Sequence, residues 1–279
     1  MENDDVDKDS LESLINAVML NYQSIPGVAE SIAHDLNCMG RDNAISNAEI
    51  LLEDSVVDAV LSYDGVSGAA ESIAHNLGHM SKDDALYASE ILKEEKVISA
   101  ILSYKTAPNV SETIVCSMCS KDHAEALRTA DILLNEKVMA AVMNFRNVPW
   151  AAGRVAYNLS LRDESSAIKC ADIFLEENVV DAVLNYKDMP WAAGLIVDFL
   201  TSVNRIYAVN AANNFLETRV KEAVKSYVNM PKISGRLISE LGMKDKSSAL
   251  ETAHILCEDK VKSAVMNYLE MPEVAESIA

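Results

Sequence analysis

The sequence is poor in basic residues. Its 279 residues include 24 lysines and arginines against 43 aspartates and glutamates, which gives a formal net charge of −19 at pH 7. A nucleic-acid-binding protein needs a basic surface to neutralise the phosphate backbone, so nucleic acid is not an expected partner. Partners of basic or neutral character are expected instead, attracted at long range by a field that salt screens.

Long apolar runs and a disulfide framework are lacking too. No run nears the roughly 18 apolar residues of a membrane-spanning helix. The acidic start, Met1–Asp5, has neither the basic nor the apolar part of a signal peptide. Five cysteines are an odd and modest number, which favours a reducing compartment over a set of disulfides. We therefore expect a cytoplasmic protein with no membrane partner.

The main feature present is a repeat of 41 residues. An aromatic residue recurs at this spacing without insertion, at Tyr22, Tyr63, Tyr104, Phe145, Tyr186, Tyr227 and Tyr268. All six prolines share a second position, at Pro26, Pro108, Pro149, Pro190, Pro231 and Pro272. Alanine fills a third position, at Ala44, Ala85, Ala126, Ala167, Ala208 and Ala249. So many coincidences at one period indicate a repeat protein.

Each repeat contains three helical stretches, as the unit Lys82–Met118 shows. Apolar spacing predicts a first helix over Asp83–Glu94 and a short second helix over Val97–Tyr104. Pro108 suits the first turn of a third helix, where its missing N–H is not needed, and this helix is predicted to run to about Met118. No stretch alternates in the manner of a strand, so the prediction is an all-α chain.

A single repeat of this kind cannot bury its apolar face alone. Neighbouring repeats are therefore expected to stack into an α-solenoid with a continuous core. Small residues at one position of the third helix permit close approach of neighbouring helices: Ala29, Ala70, Ser111, Ala152, Ala193, Ser234 and Ala275. The recurring tyrosine is expected to pack at the junction between repeats rather than to form a binding ladder.

The period and the three helices per unit resemble the armadillo repeat. The third helix is similar to that family's A-x-A-L-x-N-L signature, reading SIAHDL at Ser31–Leu36, SIAHNL at Ser72–Leu77 and RVAYNL at Arg154–Leu159. The resemblance covers nearly the whole chain and extends, less specifically, to HEAT repeats. It implies a right-handed superhelix whose third helices line a concave, partner-binding groove.

The chain departs from the importin-like armadillo proteins, which hold an extended basic peptide with a tryptophan four residues before an asparagine. The position of that tryptophan holds Ser31, Ser72, Thr113, Arg154, Leu195 and Arg236. The asparagine position matches only at Asn76 and Asn158. The peptide clamp of that family is therefore not expected to carry over whole.

The surface of the third helices is predicted to have two parts. In the N-terminal half, the carboxylates of Glu30, Glu71 and Glu112 share one repeat position, roughly 8–10 Å apart on stacked helices. The candidate partner-binding residues of this polar half are Glu30, His34, Asp35, Glu71, His75, Asn76 and Glu112.

In the C-terminal half, the carboxylate position becomes glycine, at Gly153, Gly194 and Gly235. Glycine inside a helix costs about 1 kcal/mol relative to alanine, so these glycines predict that something needs the space. Aromatic residues and arginine commonly anchor protein interfaces. The candidate partner-binding residues of this aromatic half are Trp150, Arg154, Tyr157, Asn158, Trp191 and Phe199. In the alternative interpretation, the tryptophans pack on the next repeat and the glutamates form a solvated face.

Motifs for metal binding and catalysis are weak. Cys116 and Cys119 form a CxxC pair, but a second pair is missing. The pairs His34/Cys38 and His75/His79 have i, i+4 spacing, and polar groove residues are the favoured interpretation. No P-loop, G-x-S-x-G, G-x-G-x-x-G or H-E-x-x-H motif occurs. We therefore predict no metal, no cofactor and no enzymatic activity.

The chain is thus predicted to be one all-α domain over residues 1–279, with about six and a half armadillo-like repeats. It has an acidic lead-in over residues 1–14 and ends inside the third helix of an incomplete repeat. The predicted function is a non-catalytic scaffold that binds a protein or extended peptide, basic or with apolar anchors. Two alternatives stay open. One is a ligand-binding or lyase-like HEAT-type enzyme that uses the aromatic half, and the other is self-assembly through an uncapped C-terminal end.

Overall fold

The structure, a computed structural model, describes residues 3–25 and 27–267, with side chains described from residue 11 onwards. Over this range it contains nineteen α-helices, one 3-10 turn and no β-strand, which confirms the all-α prediction. None of these described helices is both long and apolar enough to cross a membrane. Its internal contacts divide the chain into two compact units, residues 1–134 and 135–279, which are described separately.

The first unit contains nine helices over its described residues. They are α1 (Asn3–Tyr22), α2 (Val28–Cys38), α3 (Arg41–Leu51), α4 (Asp54–Leu61), α5 (Ser67–Gly78), α6 (Lys82–Leu92), α7 (Glu95–Leu102), α8 (Pro108–Cys119) and α9 (His123–Leu134). Helix α1 begins at Asn3, so most of the predicted lead-in over residues 1–14 belongs to the first helix.

The second unit contains ten helices and a 3-10 turn over its described residues. They are α10 (Glu136–Met143), α11 (Pro149–Ser160), α12 (Glu164–Ala171), the 3-10 turn Ile173–Leu175, α13 (Glu177–Leu184), α14 (Pro190–Ser202), α15 (Arg205–Phe215), α16 (Thr218–Ser226), α17 (Pro231–Met243), α18 (Lys246–Leu256) and α19 (Asp259–Met266).

The helices occur in the predicted order of three per repeat. In the unit Lys82–Met118, helices α6, α7 and α8 match the three predicted stretches to within a few residues at each end. Pro108 begins α8, as predicted, and the later prolines begin α11, α14 and α17 in the same way. Proline fits this place because its fixed φ is helical and its missing N–H would have had no intrahelical partner. Pro26 and Pro272 lie outside the described residues.

The recurring aromatic residue is buried, which confirms its predicted place in the core. The side chains at all six described positions, Tyr22 through Tyr227, are 0% exposed, and Tyr268 lies outside the described residues. In four repeats the tyrosine hydroxyl donates a hydrogen bond to a backbone carbonyl 29 residues later, at the end of the first helix of the next repeat. These bonds are Tyr22 to Leu51, Tyr63 to Leu92, Tyr104 to Leu133 and Tyr227 to Leu256, with lengths of 2.6–2.9 Å. Each bond satisfies a buried hydroxyl and a helix-end carbonyl together.

Two repeats of the second unit satisfy that carbonyl differently. There the position of Leu51 is taken by phenylalanine, Phe174 or Phe215, whose rings pack edge-on against Phe145 and Tyr186. The carbonyl of Phe174 accepts a bond from Asn144 Nδ2 at 3.0 Å, and that of Phe215 accepts one from Asn185 Nδ2 at 3.1 Å. Phe145 has no hydroxyl to place. The Tyr186 hydroxyl is buried and has no hydrogen-bond partner among the described residues.

The core of each unit lies between its successive repeats. All six residues of the alanine position are 0% exposed, and the small residues of the third helices are buried as far as Ser234. Where the small-residue position of the third helix holds serine, the hydroxyl donates to a backbone carbonyl within the same repeat: Ser234 Oγ donates to Tyr227 O at 2.6 Å. Small side chains keep the helices close, and the hydroxyl does not go unsatisfied.

Candidate functional site

The third helices bury one face and expose the other. They are α2, α5 and α8 in the first unit, where α2 contacts α5 and α5 contacts α8. In the second unit they are α11, α14 and α17, which contact each other in the same order. The predicted apolar face of α8 is buried at Ser111, Ile114, Val115 and Met118. The candidate residues therefore lie on the side of these helices that faces away from the core.

The candidates of the first unit form a polar face on α2, α5 and α8. Four of them are exposed, and three are partly exposed. The exposed residues are Glu30, His34, Glu71 and His75, and the partly exposed ones are Asp35, Asn76 and Glu112. The structure thus places all seven on the three successive third helices of one unit.

Polar contacts join neighbouring helices across this polar face. The hydroxyl of Ser31 on α2 donates to Glu71 Oε1 on α5 at 2.6 Å. Asp35 Oδ2 lies 3.1 Å from Nδ1 of His75. Between α5 and α8, the amide of Asn76 donates to the exposed sulfur of Cys116 at 3.6 Å. Glu71 and His75 are therefore contacted from the preceding third helix, and Asn76 from the following one.

Glu112 is the least solvated carboxylate of the glutamate position. Its side chain lies over Gly68 on α5, where a Cβ on the glycine would come within 2.7 Å of Glu112 Oε1. Partial burial and the negative charge of Glu71 raise the pKa of Glu112 above its usual range. Raising a carboxyl pKa means that the site disfavours the carboxylate, which an incoming cation would relieve.

The histidines and cysteines of this face do not assemble a metal site. The rings of His75 and His79 stack with centroids 4.4 Å apart, and Cys38 Sγ lies 3.7 Å from His34 Nε2. Over residues 3–25 and 27–267, no three His, Cys, Asp or Glu side chains are arranged to hold a metal ion. Burial, followed by the nearby Cys116, raises the pKa of Cys119 to about 12. Its thiol is therefore protonated near neutral pH.

The candidates of the second unit form an aromatic face on α11 and α14. Trp150, Tyr157 and Trp191 are 57%, 39% and 37% exposed. Arg154 and Asn158 are partly exposed. Exposed tryptophan is unusual, and clusters of exposed aromatic side chains mark interaction surfaces.

The space at Gly194 is filled by Trp150 and is not a hollow. A Cβ at Gly194 would come within 2.4 Å of Trp150 Cδ1 and 2.8 Å of its Nε1, so only glycine admits the indole here. Trp150 therefore packs on the next third helix and still exposes more than half of its surface. At Gly235 the nearest atoms belong to Leu195, at 3.9 Å, so Trp191 does not fill the corresponding space. The space predicted at Gly194 is thus needed by Trp150 of the preceding third helix, as in the alternative interpretation in which the tryptophan packs on the next repeat.

Arg154 and Asn158 are both directed at Asp198, an acceptor that was not among the candidate residues. Arg154 Nη2 donates to Asp198 Oδ2 at 2.5 Å, and Asn158 Nδ2 donates to Asp198 Oδ1 at 2.8 Å. Asp198 lies on α14, about one repeat after Asn158. The repeat positions could have indicated the contact with Asp198. Asp35 and His75, which lie at the same two repeat positions in the first unit, also pair with each other.

The Phe199 side chain packs within its own unit and contributes little to the exposed aromatic face. It is partly buried, its ring meets Phe215 edge-on at 6.1 Å, and it lies over Gly242 on α17. A Cβ at Gly242 would come within 2.5 Å of Phe199 Cε1. Phe199 thus contributes to the packing of its own unit.

Comparison of the chain with protein-family models, with curated proteins and with solved structures gave no significant match.

Proposed function

We propose that the chain is an armadillo-like solenoid of about six and a half repeats. In this proposal it acts in the cytoplasm as a non-catalytic scaffold that binds a protein or extended peptide along its third helices. One observation carries the functional part. Every candidate side chain reaches the surface of a third helix, fully or in part, while the opposite face of the same helices is buried. A surface that combines carboxylates with exposed tryptophans suits recognition of a macromolecule better than enclosure of a small substrate.

Recurring contacts between successive repeats support the solenoid. The tyrosine hydroxyl bonds a carbonyl 29 residues later in four repeats. Third helices contact their successors within each unit. In a solenoid each repeat contacts only its neighbours, and such contacts repeat with the period of the sequence.

The polar face favours a basic segment. Glu30, Glu71 and Glu112 lie on three successive third helices. A peptide extended at roughly 3.3 Å per residue would advance two to three residues between carboxylates 8–10 Å apart. Lysines or arginines at that spacing would each meet one carboxylate, and would offset the partial burial and the repulsion from Glu71 that raise the pKa of Glu112.

The aromatic face favours apolar anchors. The charge of Arg154 is matched by Asp198. The exposed surface that remains is mainly indole and phenol, from Trp150, Trp191 and Tyr157. Rigid aromatic surfaces of this kind accept apolar side chains or the cationic groups of lysine and arginine.

The test is affinity capture from the source lysate at low and high salt. Wild type is compared with Glu30→Gln/Glu71→Gln/Glu112→Gln, with Trp150→Ala/Trp191→Ala, and with a matched control. The control, Asp54→Asn/Glu95→Gln/Glu136→Gln, removes the same number of charges from the first turns of second helices. Circular dichroism first establishes that all four proteins fold alike.

A partner that wild type and control retain at low salt, and that either face variant loses, is the expected result. The variant that loses it identifies the face that supplies the binding energy. Equal capture by all four proteins, or no specific capture by wild type, would contradict the proposal. Turnover or a copurified small ligand would favour the enzyme alternative.

A further inference from the structure

Two histidines, His75 and His79, lie one helical turn apart near the end of α5. Residues four apart on a helix project from the same side, so their side chains meet. The two imidazole rings have centroids 4.4 Å apart and planes tilted by 39°. Both residues are exposed, and the side chain of His75 is 57% exposed. An ion in solution can therefore reach both rings together.

The hydrogen bonds of the two rings fix which nitrogen is free to bind a metal ion. Nδ1 of His75 lies 3.1 Å from Oδ2 of Asp35 on α2, and Nδ1 of His79 lies 2.7 Å from the backbone oxygen of His75. A carboxylate and a carbonyl oxygen only accept hydrogen bonds, so Nδ1 of each ring carries a hydrogen. In the neutral ring the lone pair is then on Nε2. Neither Nε2 atom has a hydrogen-bond partner among the residues that the structure describes.

This arrangement is the one that metal-ligating histidines adopt. Such a histidine binds the ion through one nitrogen and donates the other N–H to a carboxylate or a backbone carbonyl, which fixes the ring and its tautomer. Here one ring has a carboxylate partner and the other has a carbonyl partner. Two nitrogens that bind one ion at about 2.0–2.1 Å lie about 3 Å apart, a separation that rings with centroids 4.4 Å apart reach by small side-chain rotations.

The histidine pair supplies two ligands and not a ready-made closed site. Among the described residues, no three His, Cys, Asp or Glu side chains converge on one point. The remaining coordination positions therefore belong to water, because both rings face solvent. Asp35 beside His75, and Glu71 one turn earlier on α5, attract a cation to this place.

We propose that His75 and His79 chelate a divalent transition-metal ion through their Nε2 atoms. Imidazole nitrogen suits Ni²⁺, Cu²⁺ and Zn²⁺, whereas Mg²⁺ and Ca²⁺ prefer oxygen ligands. Asp35 is a positioning residue, since it holds the His75 ring in the ligating tautomer. Such a site departs from the sequence-based expectation of no bound metal, which rested on spacing alone. The ion needs no partner protein, so its binding is independent of the function proposed above.

The test is a titration of the untagged full chain with NiCl₂ in a reducing buffer, measured by calorimetry. Saturable binding is expected in the wild type. His75→Gln and His79→Gln each leave a single imidazole and should weaken binding at least about tenfold, since loss of even an outer partner of a ligand commonly costs that much. The matched control is His123→Gln. It removes an exposed imidazole that also pairs with a carboxylate, that of Glu94, and should leave the affinity unchanged.

Two further measurements separate ligation from a general attraction of cations. Asp35→Asn should weaken Ni²⁺ binding about tenfold, whereas Asp42→Asn, with the same change in charge on α3, should have little effect. Histidine side-chain NMR with ZnCl₂ should shift the Nε2 signals of His75 and His79 and leave both Nδ1 atoms protonated. Asp35→Asn should mix the two tautomers of His75 and leave His79 unchanged, which a purely structural role of Asp35 would not produce.

Three results would overturn the inference. The first is no saturable binding of Ni²⁺ up to about 1 mM. The second is an affinity that neither His75→Gln nor His79→Gln lowers, or that His123→Gln lowers as much. The third is displacement of Ni²⁺ by an equal concentration of Mg²⁺, which would assign the ion to the carboxylates of the acidic surface. Both histidines are exposed, so the variants should fold as the wild type does, and circular dichroism checks this.

Discussion

The polar face of the first unit and the aromatic face of the second contain the same packing arrangement with its two sides exchanged. In the first, Glu112 lies over Gly68 of the preceding third helix. In the second, Trp150 lies over Gly194 of the following one. The residues of each pair occupy the same two repeat positions, 44 residues apart, and in both pairs glycine leaves the space that its partner fills. The comparison teaches that the chemistry of a face can change while the buried positions beneath it stay the same.

The largest expected effect comes from placing a large residue at both positions of one pair. Gly194→Glu places the first unit's large residue beneath an indole that already occupies the space. We expect the free energy of unfolding to fall by about 1–3 kcal/mol, the usual cost of overpacking. Adding Trp150→Gly recreates the Gly68/Glu112 pair and should recover at least about 1 kcal/mol as a coupling energy.

Urea unfolding of both single variants and the double variant, followed by circular dichroism, measures this coupling. Strictly additive losses would show that the two positions do not interact, and would remove the basis of the comparison.

The buried aromatic position offers the next contrast. Tyr104→Phe removes a hydroxyl that bonds Leu133 O at 2.8 Å and leaves that carbonyl without its donor. We expect a loss of about 1 kcal/mol or slightly more. Tyr186→Phe removes a hydroxyl that has no partner among the described residues, so it should be neutral or slightly stabilising.

Thermal and urea unfolding of the two variants make the measurement, and each serves as the other's control. An equal loss in both would mean that the Tyr186 hydroxyl is satisfied after all.

A smaller effect, confined to the polar face, is a pH dependence of the free energy of unfolding through Glu112. Because the pKa of Glu112 is raised in the folded state, its charge opposes folding above that pKa, and protonation removes the opposition as the pH falls. Glu112→Gln should therefore stabilise the protein at pH 7 by a few tenths of a kcal/mol, the scale of exposed charge interactions. The gain should shrink as the pH falls toward about 4.3, the ordinary value for glutamate.

Urea midpoints at several pH values test this prediction, with Glu30→Gln as the control for a simple change in net charge. A gain that stays constant with pH would assign the effect to the substitution itself and not to ionisation.

The smallest effect is spectroscopic and concerns the aromatic face alone. Trp150 is 57% exposed and Trp191 is 37% exposed. Iodide should therefore quench the tryptophan fluorescence of Trp191→Phe, which retains Trp150, more strongly than that of Trp150→Phe, which retains Trp191. The reverse order would show that the indole of Trp150 is more deeply covered than its packing on Gly194 implies.

The sequence predicted the local features of this structure well. The all-α class, the three helices of the unit Lys82–Met118, the prolines that begin α8, α11, α14 and α17, and the burial of the tyrosine position all depend on local preference and apolar spacing. The placement of the candidate residues on exposed third-helix faces follows from the same spacing. These features need no knowledge of which atoms touch.

The pairing of side chains between repeats was not predicted. That Trp150 fills the space at Gly194, and that Arg154 and Asn158 share Asp198, depends on rotamers and on contacts 40 or 44 residues away. Among the described residues the Tyr186 hydroxyl has no partner, because Phe215 replaces leucine and Asn185 bonds the carbonyl. Reading repeat positions in pairs, rather than one at a time, would have revealed the exchange of glycine with a large neighbour.

The short reach of these contacts has a consequence for the kinetics of folding. The side-chain bonds between successive repeats join residues 29 to 44 positions apart, so no distant loop must close before they form. Chains with such low contact order fold quickly for their length, and repeats of this kind can nucleate at several places and grow by adding neighbours. A substitution at one junction, such as Tyr104→Phe, should then speed local unfolding of that junction more than it slows folding of the rest.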